Sequence, residues 1–315
     1  MHELMQKIHQ HERFVIVCHV DPDGDALGSG FALLKGLQAL GKHAQMVCQD
    51  DCPQLYRFMA LSNTLQNTAD VSQPYVFFSV DCTDRGRLGT CAALLDGAMD
   101  SINVDHHISN THFCALNYVQ PQAASCSDII MELLQNLQIT ITQEMAESLF
   151  VGISTDTGHF VHGNTNAQCL QNAATLLQTG ISASHLCDLL YHRAPANSVA
   201  LLGKVLNTLT LLGEGAVAHI HVTQEMMRQT DTTIENASGI ITRIQYIEGV
   251  KIALYFTQLQ DGGTKVSMRS AEGYDVRAIA QQFGGGGHVR AAGCTILADI
   301  DDAIAQMERA ALAVL

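Results

Sequence analysis

Asn103-Val104-Asp105-His106-His107 is the stretch on which the reading of this chain turns. An acid and two imidazoles follow a short apolar run, 101–104, that reads as a buried strand. Open α/β sheets place their chemistry at such strand ends, because side chains leaving the carboxyl edge converge on one crevice. Two adjacent histidines on extended backbone point to opposite faces, so one can ligate an ion while the other meets substrate or solvent. Alone, the tripeptide fits a solvated loop equally well. It is not alone.

Residues 14–18 form a β-branched and aromatic run, followed by His19-Val20-Asp21-Pro22-Asp23-Gly24-Asp25 and an apolar helical pattern over 26–40. Residues 44–48 read as a second strand and 75–80 as a third, which ends in Asp81. Strands alternating with helical segments predict a mainly parallel sheet with right-handed crossovers. From Ser125 the pattern turns helical over 127–137 and 142–154, and the second of these runs into Asp156. Further helices are expected over 166–178, 182–191 and 198–211, with the polar stretch 192–197 as the domain boundary. Beyond Gly213, residues 216–222, 250–258 and 264–270 alternate like strands, the last two joined by Asp261-Gly262-Gly263 as a hairpin turn. A helix over 275–283, four glycines and an amphipathic helix over 299–314 complete the chain.

The expected fold class is therefore α/β: a mainly parallel sheet with flanking helices over 1–192, and a second, smaller α/β domain over 193–315. A chain of 315 residues, 47% hydrophobic and 15% charged, suits two ordinary domains better than one core. No run reaches the roughly 18 apolar residues of a membrane span, and the polar, His-rich start lacks a signal-peptide core. Ten scattered cysteines without paired zinc or redox spacing read as reduced, buried residues of a cytoplasmic protein. A net charge of −14 argues against gripping long duplex nucleic acid by a basic surface. A short anionic substrate remains compatible, because carboxylates that bind divalent cations make a locally positive site.

His19, Asp23 and Asp25 have the spacing HxxxDxD. On an extended loop, Asp23 and Asp25 point the same way and can address one ion or two neighbouring ions. Oxygen and imidazole donors suit Mn²⁺, Mg²⁺, Fe²⁺ or Co²⁺ better than structural zinc. The alternative is an Asx turn capping the next helix. Asp81 and Asp156 each admit the same two readings, cap or ligand. Several such positions on one parallel sheet are hard to explain as independent caps, and together they match the inventory of a two-metal site.

These motifs, His19-x-x-x-Asp23-x-Asp25, the strand-end Asp81, Asp105-His106-His107 and Asp156, resemble the four motifs of the DHH phosphoesterase family. The run Gly284-Gly285-Gly286-Gly287-His288 resembles the mark of the DHH-associated domain of its subfamily 1. Length and the two-domain plan are similar to the short stand-alone oligoribonuclease and pAp phosphatase branch. The resemblance implies that His19, Asp23 and Asp81 hold one divalent ion, most often Mn²⁺ with Mg²⁺ or Co²⁺ as alternatives. Asp25, Asp81, His106 and Asp156 would hold a second, with Asp81 bridging. It implies that His107 faces the substrate and that Asp105 orients its neighbours, while Asp21 lies outside the ligand set. The glycine run, independently, can turn backbone N–H groups toward an anion. Arg269, Gly284, Gly285, Gly286, Gly287, His288 and Arg290 are the expected substrate-binding residues, with the active site in the cleft between the domains.

The implied activity is hydrolysis of short RNA oligonucleotides to mononucleotides, or of 3′-phosphoadenosine 5′-phosphate (pAp) to AMP. Linear dinucleotides such as pApA, or inorganic pyrophosphate and polyphosphate, are the alternatives. The glycine run counts against the inorganic substrates, whose enzymes resemble this chain in the first domain only. Metal identity, digestion polarity and oligomeric state, a homodimer included, stay open.

Overall fold

The computed structural model describes every residue except 235, 237 and 238. It divides into two compact units, Met1–Arg193 and Ala194–Leu315. Among the described residues no helix is long and apolar enough to cross a membrane.

The first unit is built on β1 (Arg13–Val17), β2 (His43–Val47), β3 (Leu65–Gln66), β4 (Val76–Val80), β5 (Asp100–Asp105) and β6 (Leu116–Val119). They form one parallel sheet in the order β3-β2-β1-β4-β5-β6. All five residues of β4 and four of five in β1 are buried, as expected for central strands covered on both faces. Alternation then sorts the side chains: Phe14, Ile16 and Phe78 join the larger core under the helices, and Val15, Val17 and Phe77 the smaller one opposite. The strands run outward from β1 to β3, then cross back to β4 and outward to β6. The switch point between β1 and β4 opens a crevice at their carboxyl ends, where His19 and Asp81 follow.

The larger core is covered by α1 (His2–Gln10), α2 (Gly24–Ala39), α4 (Cys126–Asn136) and α5 (Gln143–Asp156), with later helices of the unit adding to it, while the short α3 (Ala92–Asp96) packs on the smaller core. Helix α2 is apolar on most sides and buried on most sides, lying between the sheet and α5. The approach is backbone-close. A Cβ on Gly28 would lie 2.3 Å from the Ser148 carbonyl oxygen, and one on Gly152 2.0 Å from Ser127 Oγ and 2.8 Å from Asp25 Oδ1. This seam carries the end of α5, and so Asp156, to the start of α2.

In the second unit, α8 (Ala196–Leu206) precedes a mixed sheet; α6 (Ala167–Leu177) and α7 (Ala183–Cys187) complete the first unit. The sheet contains β7 (Thr210–Leu212), β8 (Val217–Val222), β9 (Ile252–Gln258), β10 (Thr264–Ser270), β11 (Gly286–His288) and β12 (Ala291–Ile296), in the order β11-β12-β10-β9-β8-β7. Only β8 and β9 pair in parallel. The β9–β10 hairpin turns at Gly262, whose φ of +87° suits glycine. Helices α9 (Gln224–Thr230), α10 (Thr242–Gln245), α11 (Val276–Gln282) and α12 (Ile300–Leu312) complete the unit.

The structure corrects several expectations. The helix expected over 198–211 ends at Leu206, and Thr210–Leu212 pairs with β8. The helix over 182–191 is α7 plus a π turn, Asp188–His192. The strands β3, β6, β11 and β12 were likewise not expected. His219, in β8, is buried, with Nε2 2.9 Å from Glu308 Oε1. All ten cysteines are free and buried.

Two tests follow from this packing. Gly152→Ala is expected to destabilise the first unit by about 1–3 kcal/mol through overpacking. Gly203→Ala, on an exposed turn of α8 with nothing within 4 Å, should add up to about 1 kcal/mol. Chemical denaturation of both variants measures the contrast. Burial holds the His219 imidazole below its ordinary range, with the Glu308 carboxylate opposing. The unfolded state therefore binds the proton more readily, and stability present above about pH 6.5 is lost as pH falls through the folded value. Denaturation at pH 7.5 and 5.5 should show a smaller pH loss in His219→Gln than in the parent; equal losses would contradict this.

Candidate metal centre

At the switch point the chain gathers carboxylates and imidazoles from four segments. Nitrogen Nε2 of His19 lies 3.8 Å from Asp23 Oδ1 and 3.7 Å from Asp81 Oδ2. Nitrogen Nε2 of His106 lies 3.5 Å from Asp81 Oδ1, 3.7 Å from Asp156 Oδ2 and 4.0 Å from Asp25 Oδ2. These separations are too long for good hydrogen bonds. They match the roughly 3–4 Å between donor atoms that each sit about 2.1 Å from a shared ion. Asp81 Oδ1 and His106 Nε2 are buried and have no hydrogen-bond partner, a costly arrangement unless something else satisfies them. The sets His19–Asp23–Asp81 and Asp25–His106–Asp156 can each hold a metal ion by proximity of their donor atoms.

Each side chain is fixed locally. His19 places Nδ1 2.8 Å from the Val20 carbonyl oxygen, which turns Nε2 toward the cluster. The helix begins at Gly24, earlier than expected, so Asp23 and Asp25 do not share an extended loop. Asp23 is the N-cap and accepts from the amides of Asp25 and Ala26, both at 3.0 Å, while Asp25 sits in the first turn. Asp25 accepts the amides of Cys126 at 2.6 Å and Ser127 at 2.8 Å, so it also closes the start of α4. Asp156 is the last residue of α5 rather than a loop residue beyond it. Asp81 takes a left-handed φ of 54°, sparsely populated for an acid, directly after β4. Asp21 also has positive φ and gives its amide to Asp50 Oδ2 at 2.8 Å.

Asp105 is fully buried and ties its own turn together. Its Oδ1 accepts the amide of His106 at 2.8 Å and lies 2.7 Å from His107 Nδ1, and its Oδ2 accepts from Asn110 Nδ2 at 2.5 Å. Sequence reasoning missed Asn110, which also reaches the Cys82 carbonyl at 3.0 Å. It missed Asn164 too, whose Nδ2 meets Asp156 Oδ2 at 3.0 Å and the Ala124 carbonyl at 2.9 Å. Asn110 stands three residues after His107, the one local signal available for it; Asn164 carries none.

The electrostatics follow from crowding. Burial pushes Asp81 upward, yet His106, His19 and His107 outweigh it and hold the carboxyl at about 2. Burial opposes a charged His106, but Asp81, Asp25 and Asp156 raise it to about 10; burial likewise opposes a charged His19, but Asp81, the Val20 carbonyl and Asp23 raise it to about 9. Burial raises Asp156 to about 6, with Asp81 and Asp23 adding to it and His106 opposing. Asp25 moves well above the usual carboxylate range, through burial first and then Asp81 and Asp156. The carboxylates thus hold positive charge on the imidazoles, the demand that a bound cation meets.

In the second unit, Arg269 Nη1 bonds the Met268 carbonyl and Arg290 Nε the Ser270 carbonyl. The glycine run is not a free nest. The amides of Gly284 and Gly285 are bonded to carbonyls of α11, and Gly286–His288 pairs with β12. Gly285 and Gly287 are required by close approach: a Cβ would come within 2.2 Å of the Gly293 and 2.6 Å of the Ala291 carbonyl oxygen.

Residues 13–153 match the DHH family, N-terminal domain, and residues 216–312 match the DHHA1 domain. The bifunctional oligoribonuclease and PAP phosphatase NrnA of Thermus thermophilus is 33% identical over 91% of this chain and 86% of its own length. The chain belongs to the DHH family. The protein of the same description from Bacillus subtilis is 25% identical over 97% of both chains. The crystal structure of an exopolyphosphatase-related protein from Bacteroides fragilis shares the fold, with a TM-score of 0.91 at 23% identity over 98% of this chain and 94% of that one. DHH phosphoesterases are metal-dependent, and the cluster of acids and histidines suits a metal.

Mn²⁺ is expected to raise the unfolding midpoint of the protein and EDTA to reverse the gain, since binding to the folded state alone stabilises it. Asp81→Asn, which tolerates positive φ, should keep less than half of that shift. An undiminished shift would place the ion elsewhere.

Proposed function

We propose that this protein is a metal-dependent phosphoesterase that cleaves short oligoribonucleotides to mononucleotides and converts pAp to AMP. The observation that carries the reading is the match along both units to a relative named bifunctional oligoribonuclease and PAP phosphatase. An acid and histidine cluster with buried, unpartnered donors accompanies it. The orphaned atoms and the all-oxygen and imidazole donor set fit divalent ions such as Mn²⁺.

His19, Asp23 and Asp81 would hold one ion, and Asp25, Asp81, His106 and Asp156 the other. Asp81 as the bridge is supported by its two oxygens, one turned to His19 and the other to His106. Bound there, such ions lower the pKa of water and offset the charge that develops on phosphate oxygens. His107, side chain 38% exposed and held at Nδ1 by Asp105, is left with Nε2 to donate a proton to the leaving oxygen. Burial lowers its affinity for that proton, but Asp105 and Asp81 outweigh burial and raise it above the ordinary value. Arg269, Gly284 to Gly287, His288 and Arg290 would hold the part of the nucleotide away from the scissile bond. A grip on few phosphates suits a chain of net charge −14.

The test is a time course with Mn²⁺ on pAp, a 5′-phosphorylated RNA dinucleotide, a long RNA and pyrophosphate. Mononucleotide release from the first two, lost in Asp81→Ala, is expected. Phosphate release from pyrophosphate alone would overturn the substrate assignment. Arg269→Ala should raise KM with little change in kcat; unchanged constants would remove Arg269 from the site.

A further inference from the structure

We infer that Arg87 is the phosphate-binding residue of the first unit, taking an oxygen of the substrate phosphate beside the acid and histidine cluster. The inference rests on the reading of this site as a phosphoesterase centre. Five carboxylates, Asp23, Asp25, Asp81, Asp105 and Asp156, surround that centre, an unfavourable place for an anion even when ions are bound. Among the described residues, Arg87 is the one lysine or arginine whose hydrogen bonds reach the cluster: its Nη2 lies 3.0 Å from His19 Nδ1.

Of the other cations of this unit, Arg13, Arg57 and Arg193 form no ion pair and no hydrogen bond to the cluster among the described residues, Arg57 Nε meeting the Cys52 carbonyl instead, and four are paired with carboxylates. Lys7 pairs with Asp100, Lys35 with Glu144, Lys42 with Glu12, and Arg85, two residues before Arg87, grips Asp96 through a fork of 2.8 and 2.5 Å. Arg87 has no carboxylate partner, and its contact with His19 is a poor resting place. Guanidinium offers only donors, so Arg87 needs a lone pair on His19 Nδ1. The Val20 carbonyl oxygen, 2.8 Å from the same nitrogen, needs a proton there. One ring nitrogen cannot serve both. The planar fork of Arg87 is therefore held only by a contested contact with His19, and a phosphate offers the paired acceptors that match it.

The root of the side chain is fixed, while the residue as a whole is exposed. The Val20 amide donates to the Arg87 carbonyl at 2.8 Å, the Arg87 amide reaches Asp84 Oδ1 at 3.2 Å, and the next residue, Leu88, is fully buried. Arg87 is thus tied to the loop that carries His19 without being part of the packing, as a positioning group on a fixed base should be.

Calorimetric titration with AMP, the product of pAp cleavage, in the presence of Mn²⁺ tests this without turnover. Arg87→Ala is expected to weaken AMP at least tenfold, Arg87→Lys to recover part of the loss, and Arg85→Ala, which opens only the fork to Asp96, to leave it unchanged. With pAp as substrate, Arg87→Ala should raise KM at least tenfold and change kcat far less, while the Mn²⁺-induced shift in unfolding midpoint stays at the parental value. Parental affinity for AMP in Arg87→Ala, or no AMP binding by the parent protein, overturns the assignment. So does a loss of the Mn²⁺ shift in Arg87→Ala, which would make the residue a support for His19. A parent that binds AMP through Arg87 but leaves pAp and the dinucleotide intact would refute the substrate reading alone.

Discussion

A buried carboxylate with no hydrogen bond for one of its oxygens is the constraint around which the first unit is arranged. Asp81 is 3% exposed, follows the fully buried strand β4, and takes a left-handed backbone conformation that an acid rarely adopts. Burying an unpaired carboxylate costs several kcal/mol, so the surroundings must supply positive charge on both sides. They do: His19 leaves β1 and His106 leaves β5, the parallel strands that flank β4 in the sheet. The topology that crosses from β3 back to β4 thus does chemical service. It sets one acid between two imidazoles at the sheet's switch point.

Holding the remaining acids there demands a second close approach. Asp25 and Asp156 belong to α2 and α5, and they meet His106 only because Gly28 and Gly152 let the two helices touch at the backbone. Asp25 then serves twice, since the amides at the start of α4 that bond it also fasten that helix over the sheet. Packing and site are one structure here, and a change in the helix seam reaches the donors directly.

What was legible in the sequence follows from range. The central strands are continuous apolar runs, so β1, β4 and β5 and the acids and histidines that leave them stood out, as did the HxxxDxD spacing. Five strands, β3, β6, β7, β11 and β12, did not. β3 has two residues, and the four of β6 are all partly exposed, too few to set up an alternation. β11 is Gly-Gly-His, a sequence without strand propensity that pairs only because β12 offers it an edge. Gly24 read as a loop residue, yet it opens α2, where a Cβ would collide with Thr155, a neighbour 131 positions away along the chain. Asn110, Asn164 and Arg87 carry no motif of their own here; their importance lies in partners brought to them by the fold.

The glycine run shows why a pattern can be right in place and incomplete in reason. Gly285 and Gly287 are needed for the approach to β12, and the first two amides of the run are spent on α11. Gly286 alone has neither a positive φ nor a neighbour within 4 Å of a built Cβ. Its missing side chain therefore has no structural explanation, and open space above a backbone is what a ligand that lies against the chain requires. Three of the four glycines answer to the fold, which leaves the backbone at Gly286, with His288 beside it, as the part of the run free to serve the proposed binding surface.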